Sequence, residues 1–450
     1  METKKHVKNL IIGFGKGGKT LAAFLAKRGE PVVLVEQSAD MYGGACINIA
    51  CIPTKSLIVE AEKGTDYPRA YEIKEQLTAS LRQKNFEKIA GLENAEVITG
   101  KAAFASQNEV TVQLAAGGEV RIEAERIFIN TGSQPSIPPI EGIGSEKVFT
   151  SAGLIAEAGR PEKLVIIGGG FIGLEFADMF AKFGTQVTVL DRHAQFLPDE
   201  DEDIAGELFK VLTEKTIHLV NDASVEKVED VSNGLVTVYF TQNGHQKSLT
   251  ANAVLLATGR KPSTDDLNLA AAGIQTDKRG YIQVDDQLKT NAPNIWAIGD
   301  CNGGPQFTYI SLDDFRIIRN QLAGNKQYTS LKDRQPFPTC VFVTPPLAQA
   351  GLREKEAHKK GYEVKVFKIQ ASTIPKAAIL NERRGVLKAV VDAKTDRILG
   401  CTFFCAEAHE MINTVQLAIH AGVTYDTLAN MIFTHPSMTE ALNDLFVSPA

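Results

Sequence analysis

The sequence lacks the features that mark membrane, secreted or nucleic-acid-binding proteins. Its N-terminal segment, "METKKHVKNLIIGFG", carries lysines, but the apolar stretch is only a few residues long and ends in glycine. That pattern predicts a buried strand rather than a signal peptide or a membrane span. The net charge of -6, with interspersed signs, gives no reason to expect nucleic acid or an anionic membrane as a partner. We therefore expect a cytoplasmic protein.

Cysteine is scarce, which makes its placement informative. The 450 residues include only six cysteines, and Cys46 and Cys51 lie five positions apart in "GGACINIACIPTK". The pair could be a structural disulfide, two metal ligands, or a pair that opens and closes during catalysis. No CxxC or His-x-His accompanies it, which disfavours a permanent metal site. Because cytoplasmic thiols are kept reduced, a catalytic pair is favoured over a structural disulfide.

Two segments repeat each other, "LIIGFGKGGKTLAAFLAKRGEPVVLVE" and "LVIIGGGFIGLEFADMFAKFGTQVTVLD". Each has an apolar strand, a Gly-x-Gly-x-x-Gly turn, a helix, and a second strand that ends in an acid. The glycines and acids are Gly13, Gly15, Gly18 and Glu36 in the first copy, and Gly168, Gly170, Gly173 and Asp191 in the second. The glycines allow a tight turn, close approach of a pyrophosphate and close helix packing, and the acid binds a ribose. Two matched copies predict two dinucleotide sites.

Further strands are predicted between and after the repeats. "FINTGSQP" and "LLATGRKP" predict strands that break into turns where the chain leaves a nucleotide domain. Residues 217–257 contain short β-like runs that predict a small meander, and "NIWAIGDC" predicts a buried strand that ends on Asp300. From about Pro336 the pattern indicates a separate α/β domain without a glycine fingerprint. A chain of 450 residues is too long for one core, so two to four domains are expected.

The spacing of the cysteine pair sets a condition on the local backbone. Residues five apart in an ideal α-helix have Cα atoms about 8 to 9 Å apart, which exceeds the limit of about 7 Å for a disulfide. Cys46 and Cys51 can therefore bridge only where the helix is interrupted. Pro53 suits the first turn of a helix, so Cys51 would lie at a helix N-terminus, where a thiolate is stabilised. A flavin usually carries electrons between a nicotinamide and a dithiol, so the predicted sites form a coherent set.

"GGACINIACIPTK" resembles the "GGTCxNxGCxPxK" signature of the class I pyridine nucleotide-disulfide oxidoreductases, which include dihydrolipoamide dehydrogenase, glutathione reductase and mercuric reductase. The likeness covers the whole chain and extends to "TNAPNIWAIGDC" and "THPSMTE". It implies an α/β fold with two Rossmann-like dinucleotide-binding domains, for FAD and NAD(P), plus a C-terminal α/β dimerisation domain, in a homodimer. The implied division is 1–150 and 263–335 for FAD, 151–262 for NAD(P), and 336–450 for dimerisation.

The resemblance also implies roles for single residues near the cofactors. Cys51 would be the sulfur nearest the flavin, Cys46 the one that meets the substrate, and Lys55 a lysine near flavin N5 that pairs with Glu175. Two residues depart from the family pattern: Ala45 replaces the usual threonine, and Ala50 replaces the usual glycine, so no positive φ is expected there. FAD would contact the first set of glycines and Glu36, Gly44, Thr131, Gly132 and Asp300, and NAD(P)H the second set, Asp191 and Gly259.

His435 and Glu440 match the His-Pro…Glu motif of the family. The resemblance implies that His435, from the second subunit, is the acid/base for the outer thiol and that Glu440 orients its ring. An alternative is purely structural: "SMTE" fits a capping box with Ser437 as N-cap and Glu440 at its third position. One carboxylate would have to serve both roles.

Within the family, "GGPQFTYISLDDFRIIRNQL", "CIPTK" and "HEMIN" are most similar to flavoproteins that reduce copper(II) in defence against reactive chlorine. The expected function is therefore reduction of copper(II) or a related oxidant, with transient copper at Cys46 and Cys51. The alternatives are a small-disulfide reductase or dihydrolipoamide dehydrogenase, and a flavoprotein redox sensor without turnover.

Two further choices stay open in the sequence. Asp191 favours NADH, although the adjacent Arg192 could accept the 2′-phosphate of NADPH. Cys401 and Cys405 could form a copper site with His409, but buried small hydrophobic residues are the simpler interpretation of both, and of Cys301 and Cys340. The expected function does not depend on a copper site at Cys401, Cys405 and His409.

Overall fold

The computed structural model describes residues 3–447. Within that range its strands are β1 (Thr3–Ile12), β2 (Val32–Glu36), β3 (Ala95–Phe104), β4 (Glu109–Leu114), β5 (Glu119–Ile129), β6 (Ser133–Pro135), β7 (Val148–Thr150), β8 (Lys163–Ile167), β9 (Gln186–Leu190), β10 (His218–Val220), β11 (Ala223–Val231), β12 (Leu235–Gln242), β13 (His245–Ala251), β14 (Ala253–Leu256), β15 (Arg260–Pro262), β16 (Ile295–Ala297), β17 (Thr339–Val341), β18 (Leu347–Gly351), β19 (Val364–Gln370), β20 (Val386–Asp392) and β21 (Ile398–Phe404).

The α-helices of the same range lie between the strands along the chain, and the last three follow the final strand. They are α1 (Lys16–Lys27), α2 (Ala45–Asn48), α3 (Cys51–Glu62), α4 (Tyr67–Ala90), α5 (Ser151–Ala156), α6 (Phe171–Lys182), α7 (Glu202–Glu214), α8 (Thr308–Leu322), α9 (Glu354–Lys359), α10 (Pro375–Ile379), α11 (Ala408–Ala421), α12 (Tyr425–Asn430) and α13 (Ala441–Leu445).

The chain forms two compact units. The first comprises Met1–Glu60, Pro68–Ser136 and Gly259–Arg334, and the second comprises Ala61–Tyr67, Ile137–Thr258 and Gln335–Ala450. The chain thus leaves the first unit after Ser136, directly behind the first Thr-Gly motif, and returns to it at Gly259, inside the second. The predicted division into four segments stays a prediction.

The first unit is built on strand β1, which pairs in parallel with both β2 and β5. β2 pairs in parallel with β3, β5 pairs in parallel with β16, and β4 joins β3 to β5 with antiparallel pairing. The central strand is buried on both faces, as its apolar run predicts: Leu10 and Ile11 have no exposed surface. The order β1–α1–β2 places the first glycine turn at the carboxyl end of β1, where ligands of parallel sheets bind.

The second unit contains a five-stranded sheet in the order β10-β9-β8-β14-β7, in which every pair is parallel. Helix α6 connects β8 to β9, so the second glycine turn occupies the same position as the first. β11, β12 and β13 form an antiparallel meander, as predicted for residues 217–257. The repeated sequence pattern therefore corresponds to a repeated strand–turn–helix–strand structure.

The C-terminal part of the second unit is an antiparallel sheet in the order β17-β18-β21-β20-β19. Its strands β20 and β21 are almost wholly buried, and Met411, Ile412 and Val415 of α11 lie in the same core. The sequence predicted strands and helices here, but not that the strands would be antiparallel. Absence of a glycine fingerprint is consistent with that arrangement, since parallel nucleotide-binding sheets need one.

A buried ion cluster lies within the second unit. The side chain of Lys388 is 4% exposed, and its ammonium lies 3.1 Å from Asp201, 3.0 Å from Asp203 and 2.7 Å from Glu354. Burial opposes the charge of Lys388, but its hydrogen bonds to the three carboxylates raise its pKa well above the ordinary value. The cluster joins the start of α7 to strand β20.

Candidate active site

The first glycine turn packs against Asn130, the residue that follows β5. Gly13 has φ +105°, and a Cβ there would lie 2.3 Å from the carbonyl oxygen of Asn130. A Cβ on Gly15 would lie 2.4 Å from the Asn130 side-chain oxygen, which accepts a hydrogen bond from Gly18 N–H at 2.8 Å. Both glycines are therefore required by backbone geometry and packing. Asn130, within "FINTGSQP", was not predicted from the sequence.

Glu36 lies directly beside this turn. One carboxylate oxygen accepts the Phe14 N–H at 2.9 Å and the other accepts the Ser38 N–H at 3.4 Å. Burial raises the pKa of Glu36, and these backbone hydrogen bonds oppose the shift. The buried acid is thus fixed at the end of β2, where the sequence predicts the ribose of a dinucleotide.

Asp300 is held by a chain of side chains in the first unit. Ser133 donates its hydroxyl to Asp300 at 2.6 Å, and Arg260 donates to the Ser133 hydroxyl at 2.8 Å and to the Ser133 carbonyl at 2.7 Å. Burial lowers the pKa of the Arg260 guanidinium, and the charge of Asp300 opposes that shift. The sequence pointed to Asp300 but not to Ser133 or Arg260, although both lie in the Thr-Gly motifs that it singled out.

Thr131 offers an unsatisfied polar atom beside these groups. Its hydroxyl is buried and has no hydrogen-bond partner in the part of the chain that the structure describes. Native proteins rarely leave such a group unpaired, so it marks a place where a ligand can supply the partner. Together with the tight glycine turn and the buried Glu36, this hydroxyl fits an adenine dinucleotide such as FAD in the first unit.

The two Thr-Gly turns meet each other. β6 and β15, which follow Gly132 and Gly259, pair in antiparallel register, with Ser133 opposite Pro262. Ser136 N–H also donates to the Gly259 carbonyl at 2.9 Å. Both glycines have positive φ, +74° for Gly132 and +103° for Gly259. The similarity of the two sequence motifs therefore reflects direct pairing as well as their places at the unit boundary.

The second glycine turn resembles the first in its backbone strain and in its acid, which again accepts an N–H of the turn and the N–H two residues after itself. Gly168 has φ +112°, a Cβ on Gly173 would lie 2.0 Å from the Gly168 carbonyl oxygen, and the space around a Cβ on Gly170 is open. Asp191 accepts Gly169 N–H at 2.6 Å, and its other oxygen lies 2.7 Å from Nδ1 of His193. The His193 ring, exposed beside the acid, was not predicted, and only its position two residues after Asp191 could have signalled it.

The cysteine pair lies at an interruption between two helices. α2 ends at Asn48 and α3 begins at Cys51, so Ile49 and Ala50 break the regular helix. No disulfide joins the two cysteines here, and their side chains lie close enough to interact. The structure thereby meets the condition set by their spacing, and it puts Cys51 in the first helical turn as predicted. Ala50 has no positive φ, which agrees with the expectation from its side chain.

The thiols have different surroundings. The Cys51 sulfur lies 3.6 Å from the hydroxyl of Thr308, at the start of α8. The hydrogen bond to Cys51, together with burial, raises the pKa of Cys46 well above the ordinary range of a thiol. These surroundings therefore favour the neutral thiol of Cys46 over its thiolate. Thr308 was not predicted from the sequence, although it lies within "GGPQFTYISL".

The cysteine loop packs closely on the nucleotide turn. Gly44 has φ +81°, and a Cβ there would lie 2.8 Å from the Cα atom of Gly15. Arg82 of α4 donates to the Asn48 side-chain oxygen at 2.8 Å, and Asn48 donates to the Gly44 carbonyl at 3.0 Å. The loop is thus fixed from both sides, with Ala45 as the first residue of α2.

Lys55 and Glu175 belong to different units. Lys55 is half-buried in α3 of the first unit, and Glu175 is 7% exposed in α6 of the second. The Glu175 carboxylate accepts Phe342 N–H at 3.0 Å. Their predicted pairing near a flavin stays a prediction.

Glu440 divides its two oxygens between the two roles considered for it. One oxygen lies 2.8 Å from Nδ1 of His435, and the other accepts Ser437 N–H at 3.3 Å. Ser437 in turn accepts Glu440 N–H at 3.2 Å. The reciprocal bonds of a capping box are present, but the helix starts at Ala441 rather than directly after Ser437. The His435 ring is 72% exposed.

The remaining cysteines are packed as hydrophobic residues. Cys301, Cys401 and Cys405 are at most 1% exposed, and burial raises the pKa of each thiol. Cys405 lies 3.9 Å from the sulfur of Met411, whereas the His409 ring packs against Phe342. Within residues 3–447, no three histidine, cysteine or carboxylate side chains are grouped so that they could hold a metal ion.

Comparison with known proteins supports the assignment that this geometry suggests. Residues 7–314 match the family described as pyridine nucleotide-disulphide oxidoreductase, and residues 337–446 match its dimerisation domain. The chain belongs to this family. The expected fold class is thereby confirmed, as is the expectation of an oxidoreductase that uses FAD and NAD(P)H. The dimerisation domain supports the expected homodimer.

Individual members of the family are similar over almost the whole chain. The chain is 46% identical to the probable pyridine nucleotide-disulfide oxidoreductase RclA of Escherichia coli, covering 97% of this chain and 98% of that one. It is 33% identical to a mercuric reductase of Lysinibacillus sphaericus, over 96% of this chain and 81% of that one. A structure described as the Cu(II) complex of the HOCl-induced flavoprotein disulfide reductase RclA from E. coli matches with a TM-score of 0.94 at 45% identity, covering 99% of both chains.

The helices of the described range give no candidate membrane span. In residues 3–447, every helix is too short or too polar to cross a membrane.

Proposed function

We propose that this protein is an FAD-dependent NAD(P)H oxidoreductase whose Cys46–Cys51 pair opens and closes during turnover and reduces copper(II) or a related oxidant. The observation that carries the proposal is the contact of the two thiols across the break between α2 and α3, where a regular helix would keep them apart. A pair that needed only to be buried would not require that interruption.

The residues of the first unit hold the flavin in this proposal. Glu36 binds the adenosine ribose, Asp300 the ribityl chain, and the buried Thr131 hydroxyl gains the partner that it lacks. Bound FAD supplies the two-electron carrier between the nicotinamide and the sulfurs. Cys51 lies at the first turn of α3, whose free N–H groups and dipole favour its thiolate.

Copper is a substrate of the cysteine pair in this proposal, not a resident cofactor. A dithiol that closes to a disulfide releases two electrons and two protons, so each closure reduces two copper(II) ions to copper(I). NADH then restores the dithiol, and the sum is NADH plus two Cu(II) giving NAD⁺, H⁺ and two Cu(I). Thiolate sulfur favours Cu(I) over Cu(II), which makes the pair a suitable delivery point.

The acceptor is proposed from the relatives. The RclA structure is described as HOCl-induced and as a Cu(II) complex, and its chain is similar to this one throughout. We propose the same setting for this protein, a response to reactive chlorine or oxidative stress in the cytoplasm, where thiols are kept reduced. The proposed nucleotide is NADH, since the Asp191 carboxylate disfavours a 2′-phosphate.

In the proposed homodimer His435 comes from the partner subunit, as the family resemblance implies. Its Nδ1 bond to Glu440 fixes the ring and leaves Nε2 to exchange a proton with the outer thiol, Cys46. Lys55 and Glu175 are proposed to form the pair near flavin N5.

Anaerobic titration of the purified holoenzyme with NADH tests the relay. A long-wavelength absorbance from the Cys51 thiolate to FAD should appear in the native protein and be absent in Cys51→Ser. Cys46→Ser should keep that absorbance but lose turnover with copper(II). Cys340→Ser, a half-buried cysteine outside the pair, should match the native protein.

Three results would overturn parts of this proposal. Full copper(II) turnover in Cys46→Ser would remove the cysteine pair from the reaction. Faster turnover with lipoamide or glutathione disulfide than with copper(II) would favour the dihydrolipoamide dehydrogenase or small-disulfide alternative, which similarity to dihydrolipoyl dehydrogenases at 32% identity makes the second candidate. Absence of any acceptor-dependent NADH oxidation would favour a redox sensor.

A further inference from the structure

Lys19 is a half-buried cation that forms no ion pair with a carboxylate of the described residues. It lies one turn into α1, and its ammonium donates hydrogen bonds to the Gly43 carbonyl at 3.1 Å and to the Asn85 side-chain oxygen at 2.6 Å. Both acceptors are neutral. Across residues 3–447, no carboxylate forms an ion pair with Lys19 or acts on its charge. Burying an unpaired charge is costly, so its presence needs a reason.

Within the same described residues, the only group that raises the pKa of Lys19 is a sulfur of the redox pair. Burial lowers the pKa of Lys19 to about 8, the charges of Lys16 and Lys88 lower it too, and Cys46 alone raises it. The effect is mutual, because Lys19 lowers the pKa of Cys46.

The geometry of the loop shows how the charge reaches Cys46. Gly43 and Gly44, both with positive φ, turn the chain into α2, and Cys46 is the second residue of that helix. Lys19 binds the Gly43 carbonyl, three residues before Cys46, and Asn85 of α4 holds the ammonium from the other side. The lysine therefore both fixes the loop and keeps its charge near the outer sulfur.

We propose that Lys19 is a positioning residue for Cys46, which holds the loop of the outer sulfur and supplies the positive charge that stabilises its thiolate in the reduced enzyme. This inference deepens the proposed function and rests on Cys46 being the sulfur that meets the substrate.

The groups around Cys46 have opposite effects on its pKa. Cys51 retains the proton on Cys46 through the hydrogen bond between the two thiols, and Thr308 and Lys19 favour its release. When Cys46 ionises, its proton goes to His435 of the partner subunit, the acid/base of the proposed function, and Lys19 keeps its own proton and undergoes no bond change. Without Lys19, ionisation of Cys46 would place a negative charge beside Cys51 and remove the cation that lowers the pKa of Cys46.

The test measures alkylation of Cys46 by iodoacetamide in the NADH-reduced, FAD-loaded enzyme as a function of pH, with the site identified by mass spectrometry. In Lys19→Met the apparent pKa for alkylation should rise by about one unit, so the rate at pH 7 should fall about tenfold. Lys19→Arg should keep the native profile. Lys27→Met, at the exposed end of the same helix, serves as the matched control.

A second readout separates this role from a general loss of structure. The Cys51–flavin absorbance of the reduced enzyme should be unchanged in Lys19→Met, because Lys19 binds the loop that leads to Cys46. Should that variant lose FAD, Lys19→Gln removes the charge and keeps an N–H donor for Gly43. Asn85→Ala keeps the charge and should shift the profile far less than Lys19→Met.

The outcomes distinguish this inference from the proposal on which it rests. Profiles of Lys19→Met and Lys19→Gln that coincide with that of Lys27→Met would overturn the role of Lys19, even with an active cysteine pair. Failure of the native enzyme to form the Cys51–flavin absorbance would instead refute the proposed relay. The alkylation profile could then still be measured after reduction with dithiothreitol, and it would decide the role of Lys19 separately.

Discussion

Replacing Lys388 with methionine should destabilise the second unit by about 3–5 kcal/mol, the usual cost of removing one partner of a buried ion pair. The side chain is 4% exposed and contacts three carboxylates, of which Asp201 is itself only 6% exposed. Methionine fills a similar volume but leaves Asp201, among the described residues, with the backbone N–H groups of Glu354 and Lys355 as its hydrogen-bond donors. The loss should therefore come from uncompensated charge rather than from a cavity.

Lys365→Met provides the matched control, since Lys365 lies on β19, which pairs with β20. The two side chains of its 2.7 Å ion pair with Asp396 are 34% and 46% exposed, so solvent screens the pair and its loss should have little effect on stability. Hydrogen exchange of peptides from β19 to β21 measures both variants under native conditions. Lys388→Met should accelerate exchange by about 10²–10⁴-fold, and Lys365→Met by less than about tenfold.

Acid should reduce the difference in stability between the native protein and Lys388→Met. Hydrogen bonds from Lys368 and Lys388 lower the pKa of Asp203 below its ordinary value of 3.8, although burial opposes them. The stability that this carboxylate contributes is therefore complete above pH 3.8 and is lost as the pH falls through its lower folded pKa. In the variant the carboxylates take up protons at higher pH and relieve their repulsion. Equal exchange rates in Lys388→Met and Lys365→Met at neutral pH would refute this reasoning.

Three further predictions concern the sites. Gly44→Ala should lower the FAD content of purified protein, measured by absorbance, because its Cβ would collide with Gly15; full flavin content would contradict this. Glu440→Gln should lower kcat about 10²-fold or more, since an amide has one oxygen and cannot accept hydrogen bonds from both His435 and Ser437 in the same way. Ser437→Ala should instead lower the free energy of unfolding by only about 1 kcal/mol. Equal kcat values in the two variants would argue against the division of roles. Asp191→Asn should lower the KM for NADPH relative to that for NADH in steady-state assays, and an unchanged ratio would remove the acid from nucleotide selection.

The sequence was sufficient for features that depend on local chemistry. The Gly-x-Gly-x-x-Gly pattern predicts a turn whether or not the rest of the fold is known, and both turns have the positive φ at the first glycine that the pattern requires. The break at Cys51 was likewise predictable from the cysteine spacing and Pro53. These features concern residues close together in the chain.

Features that depend on distant residues were not accessible in the same way. Ser133 and Arg260 are separated by 127 positions, yet they form the hydrogen-bond chain to Asp300. Nothing in the sequence around Lys19 distinguishes a surface lysine from one that reaches Gly43 and Asn85. The antiparallel C-terminal sheet was missed for a related reason, since apolar strands of a doubly covered sheet read alike in either direction.

The pairing of β6 with β15 has a consequence for the architecture of the chain. Ser136 and Gly259, where the polypeptide departs and comes back, are hydrogen-bonded neighbours, so the excursion of 137–258 begins and finishes at a single spot on the first unit. Because its two ends lie side by side, this segment can be exchanged, lengthened or replaced by a short linker without rebuilding the sheet of the first unit.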